Sequence, residues 1–207
     1  MESTELAALL ERKSAEYGHP IYIIADEPYR ELAYDGAKVP WLPSCYRNTI
    51  VGYSWSKSLS LPGERIGYLV IPKEADEGEL IFNAAVVANR MLGFVNAPSL
   101  MQLAVARCLD SSTDIAAYDS NRKKLYNGLH ALGYECAYPA GAFYMWVKTP
   151  CAEPDFVAAA KKFNLLLVPG SSFGCPGYVR LAYCVSGDMI DRAMPAFAAL
   201  AAECGVK

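Results

Sequence analysis

The strongest constraint in this sequence is a set of short, continuous apolar runs, each bordered by a polar cluster. Ile21-Tyr22-Ile23-Ile24-Ala25 stops at Asp26-Glu27-Pro28-Tyr29, and Thr49-Ile50-Val51-Gly52-Tyr53 stops at Ser54-Trp55-Ser56-Lys57. Ile66-Gly67-Tyr68-Leu69-Val70-Ile71 follows the turn Pro62-Gly63-Glu64-Arg65 and ends at Pro72. Runs this short, β-branched and apolar at every position suit strands covered on both faces, the mark of an α/β sheet. Ligands of open α/β sheets bind at the carboxyl ends of the strands. The polar clusters are therefore the candidate site.

The segments around these runs read mostly as helices. Ser3 or Thr4 can cap a first helix carrying Leu6, Leu9, Leu10 and Tyr17 near helical spacing, with Gly18 as its stop. Residues 74 to 109 are helical in pattern, broken around Gly93-Phe94-Val95-Asn96-Ala97-Pro98. A further helix is predicted over Asp114 to Leu132, with Arg122, Lys123 and Lys124 as a solvated charged face. After Gly133 the rhythm becomes α+β. Strands are predicted at Tyr134–Tyr138, Phe143–Lys148, Leu165–Val168 and Val179–Cys184, and helices at Pro154–Asn164 and Asp188–Glu203. The expected division is into residues 1–117 and 118–207.

Composition narrows the function classes. The chain has 207 residues, 53% of them hydrophobic, enough for a buried core and too apolar for disorder. A net charge of −3 argues against a nucleic-acid partner. The apolar runs are too short to span a bilayer, and the start MESTELAALLERK does not read as a secretory signal, so a cytoplasmic protein is expected. The seven cysteines contain no Cys-x-x-Cys pair, and with only two histidines a zinc cluster is poorly supported. Buried or half-buried free thiols are the expected state.

Taken together, the polar clusters are specific. D-E-P-Y, then about thirty residues, then S-x-S-K, then P-G-x-R-x-G resembles the fold-type I, class I/II aminotransferases, enzymes that use pyridoxal 5′-phosphate (PLP). Asp26, Tyr29, Ser54, Lys57, Pro62, Gly63, Arg65 and Gly67 carry the resemblance. Pro139-Ala140-Gly141-Ala142-Phe143-Tyr144, Pro169-Gly170-Ser171-Ser172-Phe173-Gly174 and Val179-Arg180-Leu181-Ala182-Tyr183 look like small-domain segments of the same family. The implied architecture is part of a PLP-transferase large domain, a three-layer α/β/α unit, followed by a C-terminal α+β small domain.

The resemblance also implies roles. Lys57 would form the Schiff base with the cofactor aldehyde and then serve as the base at the substrate's α carbon; a nucleophilic lysine needs a desolvated or cationic setting. Asp26 would pair with the pyridine nitrogen, and Tyr29 would bond the ring's phenolate oxygen. Ser54 and Arg65 would bind the phosphate, with Ser56 a further candidate. Arg180 would hold the substrate's α-carboxylate. Arg90 is expected on an ordinary helix surface, and Trp55, Phe94, Phe143 and Tyr144 are expected mainly as core.

Complete members of the family are roughly twice this length. Their phosphate-cradling Gly/Ser loop, the aromatic that stacks on the ring and the N-P-x-x-P-T-G stretch are not found in these residues. The chain thus resembles the C-terminal half, with apolar surface that should seek a homo-oligomer or a separate N-terminal half. The expected activity is amino-group transfer between an amino acid and a 2-oxo acid. The motifs leave open another PLP reaction (a decarboxylase, a C–S lyase or an aminocyclopropane-carboxylate synthase) and a non-catalytic fragment that only associates.

Overall fold

The computed structural model describes residues 3–206. Contacts divide the chain into two compact units between Thr113 and Asp114. That division falls in the loop before a helix rather than inside one, four residues ahead of the expected 117/118.

In the first unit, helix α1 (Ser3–Tyr17) leads to strand β1 (Ile23–Asp26). Strand β2 (Thr49–Ser54) pairs with β1 in parallel, placing Asp26 opposite Gly52. The single turn α2 (Trp55–Ser58) follows β2 directly. Strand β3 (Gly67–Val70) then returns antiparallel along β2, with Ser54 opposite Gly67. The sheet order is β1-β2-β3, so β2 is central and the three apolar runs become neighbours.

The core of this unit is made by Leu32, Tyr34, Tyr46, Val51, Ile66 and Val105. Polar groups tie its lower edge. Asn48 is buried, donates to Asp76 Oδ2 at 2.9 Å and accepts from the Asp76 N–H at 2.8 Å. Helices α3 (Gly78–Met91) and α4 (Ser99–Ala106) form the predicted broken helical stretch. The strands were expected to be covered on both faces, but Ile24 is 81% exposed and Leu69 60%. Helix α3 buries none of its residues and presents Leu80, Phe82, Val87 and Met91 outward. The apolar pattern is that of buried elements, yet the described residues leave these positions uncovered.

In the second unit, helix α5 (Ile115–Ala131) is capped by Asp114, whose Oδ1 accepts from the Ala117 N–H at 2.9 Å. Strands β4 (Tyr144–Lys148), β5 (Val168–Pro169) and β6 (Tyr178–Ala182) form an antiparallel sheet in the order β4-β6-β5. Helix α6 (Glu153–Lys162) lies between β4 and β5 in sequence, and helix α7 (Gly187–Cys204) follows β6. Leu129, Met145, Val147, Phe156, Ala160, Val179, Tyr183 and Leu200 close its core.

Several sequence expectations change here. The strand expected at Leu165–Val168 forms only at Val168–Pro169, and Cys151 and Cys184 are exposed rather than buried or half-buried. Tyr134–Tyr138 is not a strand: it joins β4 through the single bridge Cys136–Val147, with Ala137 N–H donating to Trp146 and Lys148 N–H to Glu135. Tyr134 is instead turned into the core, where its hydroxyl donates to the Phe197 carbonyl at 2.9 Å. The solvated face of α5 also fails at one position. Arg122 is fully buried: Nε donates to Asp119 at 2.9 Å, Nη1 donates to the Pro139 carbonyl at 2.6 Å, and the guanidinium lies 4.5 Å from the Tyr138 ring centre. Lys123 and Lys124 are exposed as expected.

No helix among the described residues is long and apolar enough to cross a membrane.

Candidate active site

The parallel pairing of β1 and β2 brings two of the polar clusters to one edge of the sheet. Asp26 is the last residue of β1, and its carboxylate faces the glycine of the neighbouring strand: a Cβ added to Gly52 would come 3.9 Å from Oδ1. Tyr29 lies in the turn after β1. Lys57, on α2, extends its ammonium to 5.5 Å from the centre of the Tyr29 ring. Both side chains are half-buried.

Ser54 ends β2, and its hydroxyl donates to Ser56 Oγ at 3.0 Å. Gly67 stands opposite it. A Cβ there would sit 2.3 Å from the Tyr53 carbonyl oxygen and 3.1 Å from Ser54 Cβ, so only glycine permits this approach of β3 to β2. Arg65 follows the 3₁₀ turn Pro62–Glu64 with φ of +50°, a left-handed conformation costly for a residue with a side chain. Its guanidinium is folded back onto the Pro62 carbonyl at 2.8 Å. Asp26, Tyr29, Ser54, Lys57 and Arg65 therefore share one region of the first unit. A cavity of about 730 Å³ touches Asp26 and Ser54 but not Tyr29, Lys57 or Arg65, and its other walls are largely apolar, among them Leu69, Ile71 and Phe82.

Sequence reasoning passed over Tyr53. Its hydroxyl donates to Glu31 Oε1 at 2.8 Å and lies 2.8 Å from Ser58 Oγ. Burial, reinforced by the Glu31 carboxylate, pushes its phenol up to about 12, so it stays protonated. Trp55 packs edge-on against it and tilted against Tyr68, walling the start of α2. Ser58, beneath Lys57 in the turn, is buried, and its carbonyl accepts from the Thr113 N–H at 2.7 Å. These contacts fix α2 and thereby the stem of Lys57.

Arg180 lies on β6 in the second unit. Its guanidinium is sandwiched, 4.1 Å from the Tyr144 ring centre and 4.2 Å from that of Phe173. Two aromatic faces hold the planar fork in one orientation without consuming its N–H donors. Tyr144 is thus a neighbour of a candidate binding residue rather than core, whereas Phe143 is core. Phe94 was expected to be core as well, but it is 72% exposed on the uncovered face of the first unit. Arg90 sits exposed on α3, as expected.

The loop that carries Phe173 is clamped by a buried carboxylate. Glu153, at the start of α6, accepts from Ser171 Oγ at 2.5 Å, from the Ser171 N–H at 3.3 Å and from the Gly177 N–H at 2.9 Å. The Ser171 hydroxyl, opposed in part by burial and helped by these backbone N–H groups, holds its carboxyl below the usual range. A carboxyl lowered in the folded state stabilises fully above its unfolded value, about 4.3, and that contribution disappears as pH falls through the lower folded value. Glu153→Gln should therefore lower the urea midpoint at neutral pH, with the gap to wild type narrowing in acid. A gap that stays constant down to acid pH would count against the clamp.

Among the described residues no three His, Cys, Asp or Glu side chains gather as a metal site. The site's chemistry is that of an amine, a carboxylate, phenols, hydroxyls and guanidinium groups.

Known proteins resemble this chain along most of its length. The sequence model of the family described as aminotransferase class I and II matches residues 4–197, and the chain belongs to that family. It is 30% identical over 205 residues to an aspartate/prephenate aminotransferase of Thermus thermophilus, covering 94% of this chain and 51% of the relative. An aromatic-amino-acid aminotransferase of Thermococcus litoralis is 27% identical, with 85% of this chain and 48% of the relative covered. The crystal structure of an aminotransferase from Eubacterium rectale superimposes with a TM-score of 0.93 at 50% identity, over 97% of this chain and 51% of that one. The chain thus spans about half the length of the relatives it matches. Its mixed α/β fold is the corresponding part of the aminotransferase fold.

Proposed function

We propose that this chain forms part of a PLP-dependent amino-acid aminotransferase and carries its cofactor lysine, Lys57, and its substrate-carboxylate arginine, Arg180. The first unit is then the C-terminal part of the cofactor-binding large domain, and the second unit is the small domain. The observation that carries the reading is the donor set at the adjoining ends of β1, β2 and α2.

That set fits the cofactor group by group. Lys57 offers a primary amine for its aldehyde, Asp26 a carboxylate for its protonated ring nitrogen, and Tyr29 a phenol for its ring oxygen. Ser54, Ser56 and Arg65 offer hydroxyls and a guanidinium for its phosphate. Bound there, PLP supplies an electron sink for the pair left at the substrate's α carbon. Asp26 keeps the ring-nitrogen proton in place by its negative charge. Lys57 Nζ would also be the base that moves the α proton. Arg180 takes the α-carboxylate as a bidentate pair, which fixes the orientation of the bond to be broken.

The substrates are an amino acid and a 2-oxo acid, and the setting is cytoplasmic. The uncovered apolar faces of α3 and β3 favour association, either between copies of this chain or with a polypeptide equivalent to the other half of its relatives.

The test is a titration with PLP, of the chain alone and mixed with the N-terminal half of a full-length relative, followed by borohydride reduction and peptide mapping. The expected result is label concentrated on the peptide containing Lys57, and stronger in the mixture. Label spread evenly over surface lysines under both conditions would overturn the assignment.

A further inference from the structure

The loop that folds over Arg180 is held by a carboxylate to which the chemistry above gives no part. The two rings enclosing the guanidinium are fixed by different means. Tyr144 stands on β4, which pairs with β6 residue by residue, Tyr144 opposite Ala182 and Trp146 opposite Arg180. The sheet ladder therefore places it. Phe173 ends the 3₁₀ turn Gly170–Phe173 between β5 and β6, and it is 48% exposed. Its edge-on contact with Trp146, at 5.8 Å between ring centres, is a loose one. A ring left half in water is not fixed by burial, so its place on Arg180 depends on the backbone that carries it.

That backbone is tied on either side of Phe173 by one side chain. Glu153 Oε1 accepts from the Ser171 hydroxyl at 2.5 Å, and Oε2 accepts from the Gly177 N–H at 2.9 Å. The Ser171 N–H lies 3.3 Å from both oxygens. Between these ties the loop passes through Gly174 and Gly177, with φ of +71° and +81°, where glycine leaves the backbone free to turn. Glu153 itself is buried on the first turn of α6, the helix that sets Phe156 and Ala160 into the core. The carboxylate thus joins a firmly packed helix to a loop with little packing of its own.

We infer that Glu153 is a positioning residue for Arg180: by clamping Ser171 and Gly177 it keeps the Phe173 ring on the guanidinium, which presents the planar fork in the orientation a carboxylate needs. This rests on the substrate-carboxylate role given to Arg180 above. Glu153 acts through the loop rather than by contact with substrate. Without the clamp, one face of the guanidinium opens to water and the fork turns about the bonds of its flexible stem. Capture of the α-carboxylate then weakens, while the Lys57 amine is unaffected.

The test is an NMR measurement on the full 207-residue chain carrying isotope-labelled arginine. The Arg180 Nε–H resonance, assigned by its disappearance in Arg180→Lys, should lie upfield of the other arginines because two ring faces shield it. Phe173→Leu removes one ring and measures that ring's share of the shift. Glu153→Ala should bring the resonance close to the Phe173→Leu position. Ser171→Ala, which deletes the shortest bond of the clamp, should move it in the same direction, and it decides the matter if Glu153→Ala does not fold. Glu153→Gln, whose amide oxygen still accepts the Ser171 hydroxyl, should restore part of the shift. Phe197→Leu thins the core against Tyr134, away from the loop, and should lower stability while leaving the resonance at its wild-type position. The inference is overturned if the wild-type resonance lies among the other arginines, or if the folded clamp variants keep the wild-type shift. It is overturned equally if Phe197→Leu moves the resonance as far as Ser171→Ala does. Titration with pyruvate, a 2-oxo acid, tests the underlying reading separately. A resonance that depends on Glu153 but ignores pyruvate would remove the carboxylate role of Arg180 and leave the clamp standing.

Discussion

Lys57→Ala should abolish labelling of the Lys57 peptide by PLP and borohydride, in the chain alone and in the mixture with a complementing half. The loss should be complete rather than graded, because the step needs a nucleophilic nitrogen at that point and alanine offers none. Lys57→Arg makes the test sharper. Arginine keeps a cation near the Tyr29 ring, where Lys57 Nζ now lies 5.5 Å from its centre, so packing and charge are largely retained. A guanidinium stays protonated in proteins and cannot condense with an aldehyde. Both variants should therefore lose the label while keeping the thermal midpoint of wild type within about 1 kcal/mol of stability, as expected for a half-buried position outside the core. In the reconstituted mixture, removal of the base alone should cost amino-group transfer at least about 10²-fold. Label persisting on another lysine of the Lys57→Arg variant at wild-type level would remove Lys57 from the site.

The strands and their terminal clusters were legible because their signal is local. An all-apolar run closed by D-E-P-Y or S-W-S-K carries both the strand and its end within ten residues. The position of α5 was legible for the same reason, with Asp114 as cap and Gly133 as stop. What escaped depends on partners remote in sequence. Arg122 reads as one of three adjacent basic residues on a charged helix face, and only the return of Pro139 and Tyr138 over α5 buries it. Glu153 looks like an ordinary first-turn acid, favourable to the helix dipole, until the 171–177 loop folds onto it. Arg180 was found through its motif, but its sandwich between Tyr144 and Phe173 needs β4 and the loop after β5. The uncovered face of α3 was foreseeable only through the resemblance, since periodicity says that a face is apolar and not whether this chain covers it.

Arg122→Ala should destabilise the second unit strongly. Arg122 is fully buried, yet none of its charge is left to bare hydrocarbon: Asp119 faces Nε at 2.9 Å, the Pro139 carbonyl accepts from Nη1 at 2.6 Å, and the Tyr138 ring covers the guanidinium plane. Arg122→Ala would open a cavity and leave the Pro139 carbonyl without this donor. Asp119 would keep its bond to Lys123 at 2.7 Å, which limits the electrostatic part of the loss. Asp119 is partly exposed and keeps Lys123, so no uncompensated buried charge is left; the loss is that of a large buried side chain and its hydrogen bonds, about 3 kcal/mol. The segment Tyr138-Pro139 should loosen with it, since Arg122 is what fastens that segment to α5. Arg122→Met separates the two parts of the effect. Methionine restores most of the buried volume but neither hydrogen bond, so it should recover the packing share and remain less stable than wild type by about 1 kcal/mol, the net worth of the lost charged hydrogen bonds. Denaturant midpoints of the three proteins decide the matter. If Arg122→Ala unfolds within about 0.5 kcal/mol of wild type, as a surface substitution would, then Arg122 does not fasten the segment in solution.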